Sequence, residues 1–275
     1  MASFINTNMA ALNTQRNLSA SQAALNTSIQ RLSSGMRVNS AKDDAAGLAI
    51  ASRMDSQIRG QTVAMRNAND AISFSQTAEG ALSKITDNLQ RMRELAVQSA
   101  NGSNGSDDRA LLDTEFSQLK DEITRIKSNT KFNGIDVLAT GTTSFQIGAG
   151  TGTENQIDIG VDAMTDTNAA VAAGIAITGT DATKAKAAMT AIDQALTEVN
   201  KASIKHGSAQ NIFAAVISNL QVSSENQTAA RSRIMDTDFA AETATMARGQ
   251  ILQQAGMAML AQANQLPNGV MALLR

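Results

Sequence analysis

The chain has 275 residues, 43% of them apolar, 17% charged and only 3% aromatic, with one Pro, one His and no Cys, Trp or Tyr. That length allows one or two domains with a sizeable core, and the scarcity of aromatics argues against a compact, aromatic-cored enzyme. A formal net charge of −2 gives no reason to expect nucleic acid or an acidic membrane as partner, and the absence of Cys excludes disulfides and thiolate metal sites.

The N-terminus, Met1-Ala-Ser-Phe-Ile-Asn-Thr-Asn8, lacks the basic start and apolar block of a cleavable secretory signal. No apolar run reaches the length of a membrane span. The first predicted helix covers about Ile5 to Leu32. Ile5, Met9 and Leu12 form one apolar patch, and Leu18, Leu25, Ile29, Leu32 and Met36 continue it after a slip in register. Asn, Gln, Ser and Thr fill its polar face. Ser33-Ser-Gly35 supplies the stop, because Gly adopts the left-handed cap conformation cheaply.

Met36 to Ala41 reads as a connector. Asp43 and Asp44 then favour the positive end of a second helix that extends to about Ala100, with Gly60 and Gly80 inside it. Asn101-Gly-Ser-Asn-Gly-Ser106 breaks the chain. Beyond it, Leu112, Phe116, Leu119, Ile123 and Ile126 recur at four-three spacing, so a short loop joins two striped helices into an antiparallel hairpin. Phe132-Asn-Gly134 reads as a turn.

From Thr143 the period becomes two. Phe145 and Ile147, and then Ile157, Ile159 and Val161, alternate with polar residues around the Gly-rich loop 148–155, which predicts a β-hairpin. Residues 162–183 are small and irregular and read as surface loop. Helical pattern resumes at Met189, Ile192, Leu196 and Val199 and turns polar around Ser203 to Gln210. It returns at Phe213, Ile217 and Leu220 and continues past Ile234.

In the last stretch, Leu252, Gly256, Met259, Ala263, Leu266, Val270 and Leu273 form a heptad seam. Ile251, Leu260, Met271 and Leu274 lie off it, so the apolar surface is wider than one neighbour covers. The backbone entropy of ordering this segment exceeds what burial of its large seam residues returns, so it requires partners. The sequence-distant first helix, similar in chemistry, is the most economical one. Pro267 predicts a kink or an end to the helix. The expected fold is mainly α: a long antiparallel helical bundle with a small β-hairpin insert, plus a coiled coil of the two chain termini. The terminal coiled coil takes residues 1–42 and 236–275, and the bundle takes 43–235.

Candidate chemistry is sparse. His206 sits in the polar interruption and reads as solvent-exposed; with no second His or any Cys, no zinc site is expected. Asp236 and Asp238 lack the spacing of a calcium loop and read as helix-end or surface carboxylates. Gly148-Ala-Gly-Thr-Gly152 lacks a following Gly-Lys-Ser/Thr, so it reads as a hairpin loop rather than a phosphate cradle. No catalytic residue, metal ligand or cofactor is predicted.

Along nearly its full length the chain resembles the bacterial flagellins. The resemblance rests on Ile5-Asn-Thr-Asn-Met-Ala-Ala-Leu-Asn13, Arg31-Leu-Ser-Ser-Gly-Met-Arg-Val-Asn39, Asp43-Asp-Ala-Ala-Gly-Leu-Ala-Ile50 and Gln76-Thr-Ala-Glu-Gly-Ala-Leu82. Gln90-Arg-Met-Arg-Glu-Leu-Ala-Val-Gln98, Thr130-Lys-Phe-Asn-Gly134, Ala230-Arg-Ser-Arg-Ile234, Gln250-Ile-Leu-Gln-Gln-Ala-Gly256 and Leu260-Ala-Gln-Ala-Asn-Gln265 extend it. Ile204-Lys-His-Gly-Ser208 departs from the family pattern.

The resemblance implies an extracellular, non-enzymatic filament subunit, exported without a cleaved signal. Its termini would line a central channel, and its bundle would form the surrounding tube. Family members often carry outer domains where this chain has only residues 140–183. The implied partners are other copies of itself, an export chaperone, the cap and hook-associated junction proteins, and, for the monomer, the host toll-like receptor that senses flagellin. By the same resemblance Arg91, Leu95, Gln98 and Glu115 mark the receptor and intersubunit surface. The hairpin around Phe145, Ile147, Ile157 and Ile159 is a switch candidate for changes of filament form. The terminal seam residues Ile5, Met9, Leu12, Leu18, Leu25, Ile29, Leu32, Leu252, Met259, Leu260, Leu266, Val270 and Leu273 are expected to carry assembly. Two other readings of the chain are a hook–filament junction protein and a secreted coiled-coil type III effector.

Overall fold

The computed structural model describes residues 7–161 and 164–273. The helices are α1 (Met9–Ser34), α2 (Ala45–Ser99), α3 (Ser106–Asn129), α4 (Thr165–Ala170), α5 (Thr183–Met235) and α6 (Phe239–Leu273). Two antiparallel hairpins interrupt them. One pairs β1 (Lys131–Phe132) with β2 (Ile135–Asp136), and the other pairs β3 (Gly141–Gln146) with β4 (Gln156–Val161). The long antiparallel helices with a small hairpin insert match the expected fold class. The chain divides into two compact units, one of residues up to Ser56 with those from Asn226 onward, the other Gln57–Glu225.

In the first unit, local chemistry sets each helix end. The Asn8 side chain accepts a bond from the Ala11 N–H (3.1 Å) and so caps α1. Gly35 ends α1 in the left-handed conformation at φ 70°. Asp44 caps the start of α2 by accepting from the Gly47 N–H (2.7 Å), while Asp43 folds back to accept from Asn39, Ser40 and the Ser40 hydroxyl. The helical pattern that continues past Ile234 is interrupted: α5 stops at Met235, and Asp236 and Asp238, read as helix-end or surface carboxylates, lie between it and α6. Asp238 opens α6 by accepting from Ala240 and Ala241 at 2.9 and 3.2 Å. A short carboxylate side chain competes well for free helical N–H groups, so two nearby Asp residues break a helix more readily than they continue it. The Arg37 N–H donates to the Met235 carbonyl at 2.6 Å, and Val38, Ala51 and Met235 form a small core there. The helix that Pro267 was expected to kink or end extends to Leu273. A proline forfeits its own backbone bond, and the bonds on either side carry the helix onward.

In the second unit, one core draws on α2, α3 and α5, with Phe74, Leu82, Ile85, Leu89, Met92, Phe116, Ile123, Ile192 and Phe213 all at or below 2% exposure. A run of edge-to-face rings ties both hairpins to the helices: Phe132 against Phe74 (6.0 Å), Phe74 against Phe145 (5.6 Å), and Phe145 against Phe213 (5.8 Å). The β3–β4 register pairs Phe145 with Ile157 and Thr143 with Ile159, so the alternation read from the sequence fixes the face that packs inward. Ile147 lies one residue beyond β3 and donates its N–H to the Asn155 carbonyl (2.7 Å). The tip packs so closely on α2 that a Cβ at Gly60 would stand 2.5 Å from that of Ala149. A glycine that weakens the helix locally is thus what admits the hairpin.

Residues 164–181 are not surface loop. Met164, Thr167, Ala170 and Ile177 are buried. The Ser99 hydroxyl donates to the Ile177 carbonyl (2.6 Å), Asp113 accepts from the Ile177 N–H (2.8 Å), and Arg109 donates to the Gly179 carbonyl (3.1 Å). Glu198 caps α4 by accepting from the Thr167 N–H and hydroxyl, both at 2.7 Å. A segment held by side chains from three helices needs no periodicity of its own, so its sequence carried no sign of it.

Candidate assembly surfaces

In the first unit α1 and α6 pair antiparallel between the Asn8–Ala263 and Arg31–Glu242 contacts, and the residues that face inward alternate large side chains with Gly, Ala, Ser and Thr. On α1 the inward stripe is Ala11, Thr14, Leu18, Ser21, Leu25, Ser28 and Leu32, alternating by three and four without a slip. On α6 it is Glu242, Met246, Gly249, Gln253, Gly256, Leu260 and Ala263. A Cβ at Gly249 would stand 3.4 Å from Leu25 Cδ1, and one at Gly256 would stand 3.1 Å from Leu18 Cδ1. Leucines from one helix therefore seat in glycine notches of the other, as in knobs-into-holes packing. Asn8 donates to the Ala263 carbonyl (2.8 Å), Gln253 to Gln22 (2.8 Å), and Arg31 stands 3.8 Å from Glu242.

The seam buried within the chain is not the one the large apolar residues trace. Leu252 and Met259, expected on it, are 51 and 62% exposed, and Ile251 and Met257 also face outward, whereas Gly256 and Ala263 of the expected heptad do face α1 and Leu260, expected off it, joins them. On α1, Met9, Leu12 and Ile29 are outward-facing, whereas Leu18, Leu25 and Leu32 point to α6. The physical reason is distance. Two glycines at a seven-residue interval let the helices approach more closely than a leucine seam permits, so the narrow stripe wins the intramolecular contact. Ile5 lies outside the described residues, as do the side chains of Leu266, Val270 and Leu273.

In the second unit, Arg91 donates from Nε to Glu115 and from a terminal nitrogen to Glu94, both at 2.8 Å. The hydrogen bond to Glu115, then that to Glu94, holds the guanidinium's pKa above its ordinary value. Gln98 is exposed, and its carbonyl accepts from Asn104 (2.7 Å). Leu95 is not on this surface: it is fully buried in the core. With α3 reached through Arg91 and α5 through the Arg93–Asp193 pair (2.7 Å), α2 is covered on two sides, and its buried arc is wide enough to take in Leu95 beside Met92. The exposed apolar residue in this region is Val97.

His206, expected in solvent, is 1% exposed, and its Nδ1 has no hydrogen-bond partner. It belongs to the α5 core stripe at Ile192, Ala195, Val199, His206 and Phe213, continued through Ser203–Gln210 without a break. The segment reads as polar because its outward residues are polar. Burial pushes the imidazole's pKa below its ordinary value, and the Glu79 carboxylate opposes this. A cavity of about 170 Å³ adjoins it, lined among others by Met164, Asp166, Glu198 and Lys201. Among the described residues, no three His, Asp or Glu side chains converge on a metal-sized site, and no helix is long and apolar enough to cross a membrane.

The sequence matches the family model of the bacterial flagellin N-terminal helical region over residues 5–143 and that of the C-terminal helical region over 189–274. It is 46% identical to a flagellin of Halalkalibacterium halodurans across 98% of this chain and 99% of that one. A flagellin of Bacillus subtilis is 42% identical across 98 and 99%. Among solved structures, a flagellar hook-associated protein from Vibrio parahaemolyticus superposes with a TM-score of 0.56 over 70% of this chain and all of that one. At 15% identity that likeness is one of fold alone.

Proposed function

The chain belongs to the bacterial flagellin family and is a structural subunit of the extracellular flagellar filament; from that premise we propose that the outer faces of its α1–α6 pair are where copies of the chain join. The observation that carries this is the division of labour on those helices: Leu18 and Leu25 seat against Gly256 and Gly249 inside the chain, while Met9, Leu12, Ile251, Leu252, Met257 and Met259 face out. These residues point away from the pair in several directions, which suits burial between several neighbours rather than a single dimer contact. Residues 1–42 and 236–275 would form the inner, channel-lining layer and 43–235 the surrounding tube. Ordering of the ends would be completed by joining the filament, its entropy offset by intersubunit burial.

The finer partners follow as proposals. An export chaperone would cover the same apolar ends before assembly, and the cap and junction proteins would meet them at the filament's two limits. The host toll-like receptor that senses flagellin would read the exposed polar face of Arg91, Glu115 and Gln98, with Leu95 acting only beneath it to hold α2 in place. The β3–β4 hairpin, anchored by Phe145 with Ile147, Ile157 and Ile159 packed on the core, would be the element that shifts between filament forms.

Leu252→Asp tests the central reading. It is expected to leave the monomer's helicity and thermal midpoint nearly unchanged, since the side chain is half exposed, and to abolish growth on filament seeds read by electron microscopy. Normal filaments from this variant would show that this face is not an interface.

A further inference from the structure

Three methionines, Met9, Met257 and Met259, are 62, 53 and 62% exposed, whereas Met92, Met164 and Met235 are buried at 8% or less. Met257 and Met259 are two positions apart, roughly 200° around a helix, and so flank the inward stripe of Gln253, Gly256 and Leu260 on opposite sides. Met9 stands on the outward side of α1, near the end where Asn8 bonds to Ala263. The outward faces therefore carry three thioethers, Met9 on α1 and Met257 and Met259 on α6, beside Leu12, Ile29, Ile251 and Leu252.

The composition adds a second observation. With no Cys, Trp or Tyr anywhere in the chain, the side chains that oxidants attack most readily are the methionines themselves. No thiol is present to be consumed first. We propose that oxidation of Met9, Met257 and Met259 in the unassembled subunit is a reversible block on polymerisation, and that polymerisation in turn shields these residues from oxidants. This rests on the reading that the outer faces of α1 and α6 join copies of the chain.

The chemistry is a two-electron transfer from sulfur to a peroxide or hypochlorous acid. With hydrogen peroxide, a sulfur lone pair attacks one peroxide oxygen, the S–O bond forms, the O–O bond breaks, and water leaves as the peroxide is reduced. The product is a polar sulfoxide. Its oxygen needs a hydrogen-bond partner that an apolar contact lacks, so the modified side chain disfavours burial between subunits while tolerating solvent on the monomer. The buried methionines are screened by the fold and would react late, so the monomer would stay folded while losing its ability to join. Sulfoxide reductases of both epimer specificities, supplied with a dithiol that is oxidised to its disulfide while the sulfoxide oxygen leaves as water, restore the thioether and would restore assembly.

The test treats the full-length monomer and preformed filaments with hydrogen peroxide, maps sulfoxides by peptide mass spectrometry, and measures the critical concentration for growth on seeds. The monomer is expected to oxidise at Met9, Met257 and Met259 before Met92, with unchanged helicity and a critical concentration raised about tenfold or more. Filaments are expected to be protected at the same three residues. Incubation of the oxidised wild-type chain with the two reductases and dithiothreitol as electron donor should return the critical concentration to its starting value, and a Met9→Leu, Met257→Leu, Met259→Leu variant should assemble before and after peroxide alike. Unchanged assembly of fully oxidised wild-type chain, failure of the reductases to rescue it, or equal sensitivity of the Leu variant would each overturn the proposal. Leu252→Asp separates the two readings. If it fails to assemble while oxidised wild type assembles normally, only the oxidation proposal falls; if it assembles normally, the interface reading falls first.

Discussion

The α1–α6 pair and the 57–225 bundle are both built from long helices with heptad spacing, yet they spend their large apolar residues in opposite ways. The bundle buries Phe74, Phe116, Phe213, Leu82, Leu89 and Ile123 and is closed by hairpins and by the strap of residues 164–181. The pair buries Leu25, Ser28, Gly249 and Ala263 and leaves Met9, Leu12, Ile251, Leu252 and Met259 outside. Buried apolar area drives folding, so the first arrangement is complete within one chain and the second is not. The same period thus encodes a self-sufficient core in one place and an unfinished one in the other. What separates them is that the pair sets its inward leucines against glycines and leaves other large residues facing out.

Phe116→Ala presses hardest on this contrast. Removing a fully buried ring from the bundle should cost about 3–5 kcal/mol and lower the main thermal transition of the monomer by calorimetry. A cost near zero would mean that the bundle core is not what holds the monomer. Gly256→Val attacks the pair instead. Its Cβ would meet Leu18 Cδ1 at 3.1 Å, and crowding of this kind costs about 1–3 kcal/mol. The loss should appear as faster hydrogen exchange in α1 and α6, with the main transition unmoved; a shift of that transition would mean that the pair and the bundle unfold together. Gly80→Ala goes the other way. Gly80 lies exposed on α2 with nothing within 4 Å of a Cβ, so the substitution should stabilise by about 1 kcal/mol through helix propensity, raising the main transition.

The smallest expected effect is a pH dependence near neutrality that originates at His206 in the bundle. The folded pKa of His206 lies below its ordinary 6.5 because burial disfavours the imidazolium. The unfolded chain therefore binds the extra proton more readily, and stability present above pH 6.5 is lost as pH falls below it and through the folded pKa. Asp43, Asp181 and Glu122 have their pKa values lowered from 3.8, 3.8 and 4.5, so their contributions fade only at more acid pH. Thermal midpoints between pH 7.5 and 5 should fall for the wild type and fall less for His206→Gln. Parallel curves would remove His206 as the cause.

Much of this is legible in the sequence. Gly35 and the Asn101–Ser106 break marked helix ends through backbone conformation, and the alternation at Phe145, Ile157 and Ile159 marked a hairpin, because these are local effects of neighbouring residues. The family segments at both ends of the chain identified the kind of protein. His206 was misread because polar flanks mask a core position when only the average character of a segment is weighed. Leu95 was misread because two neighbours widen the buried arc of α2. The strap at 164–181 was missed because its order comes from Ser99, Asp113, Arg109 and Glu198, which are distant in sequence.

The sequence by itself determined the helices, the hairpin, the family and the fact that the terminal segments carry more apolar surface than one partner covers. Periodicity, capping and composition are properties of the chain alone, and they suffice for that much. Only the tertiary structure decided which stripe the chain keeps for itself. Helix separation is set by the smallest residues at the contact, and Gly249 and Gly256 let α1 approach along a line that leaves Leu252 and Met259 free.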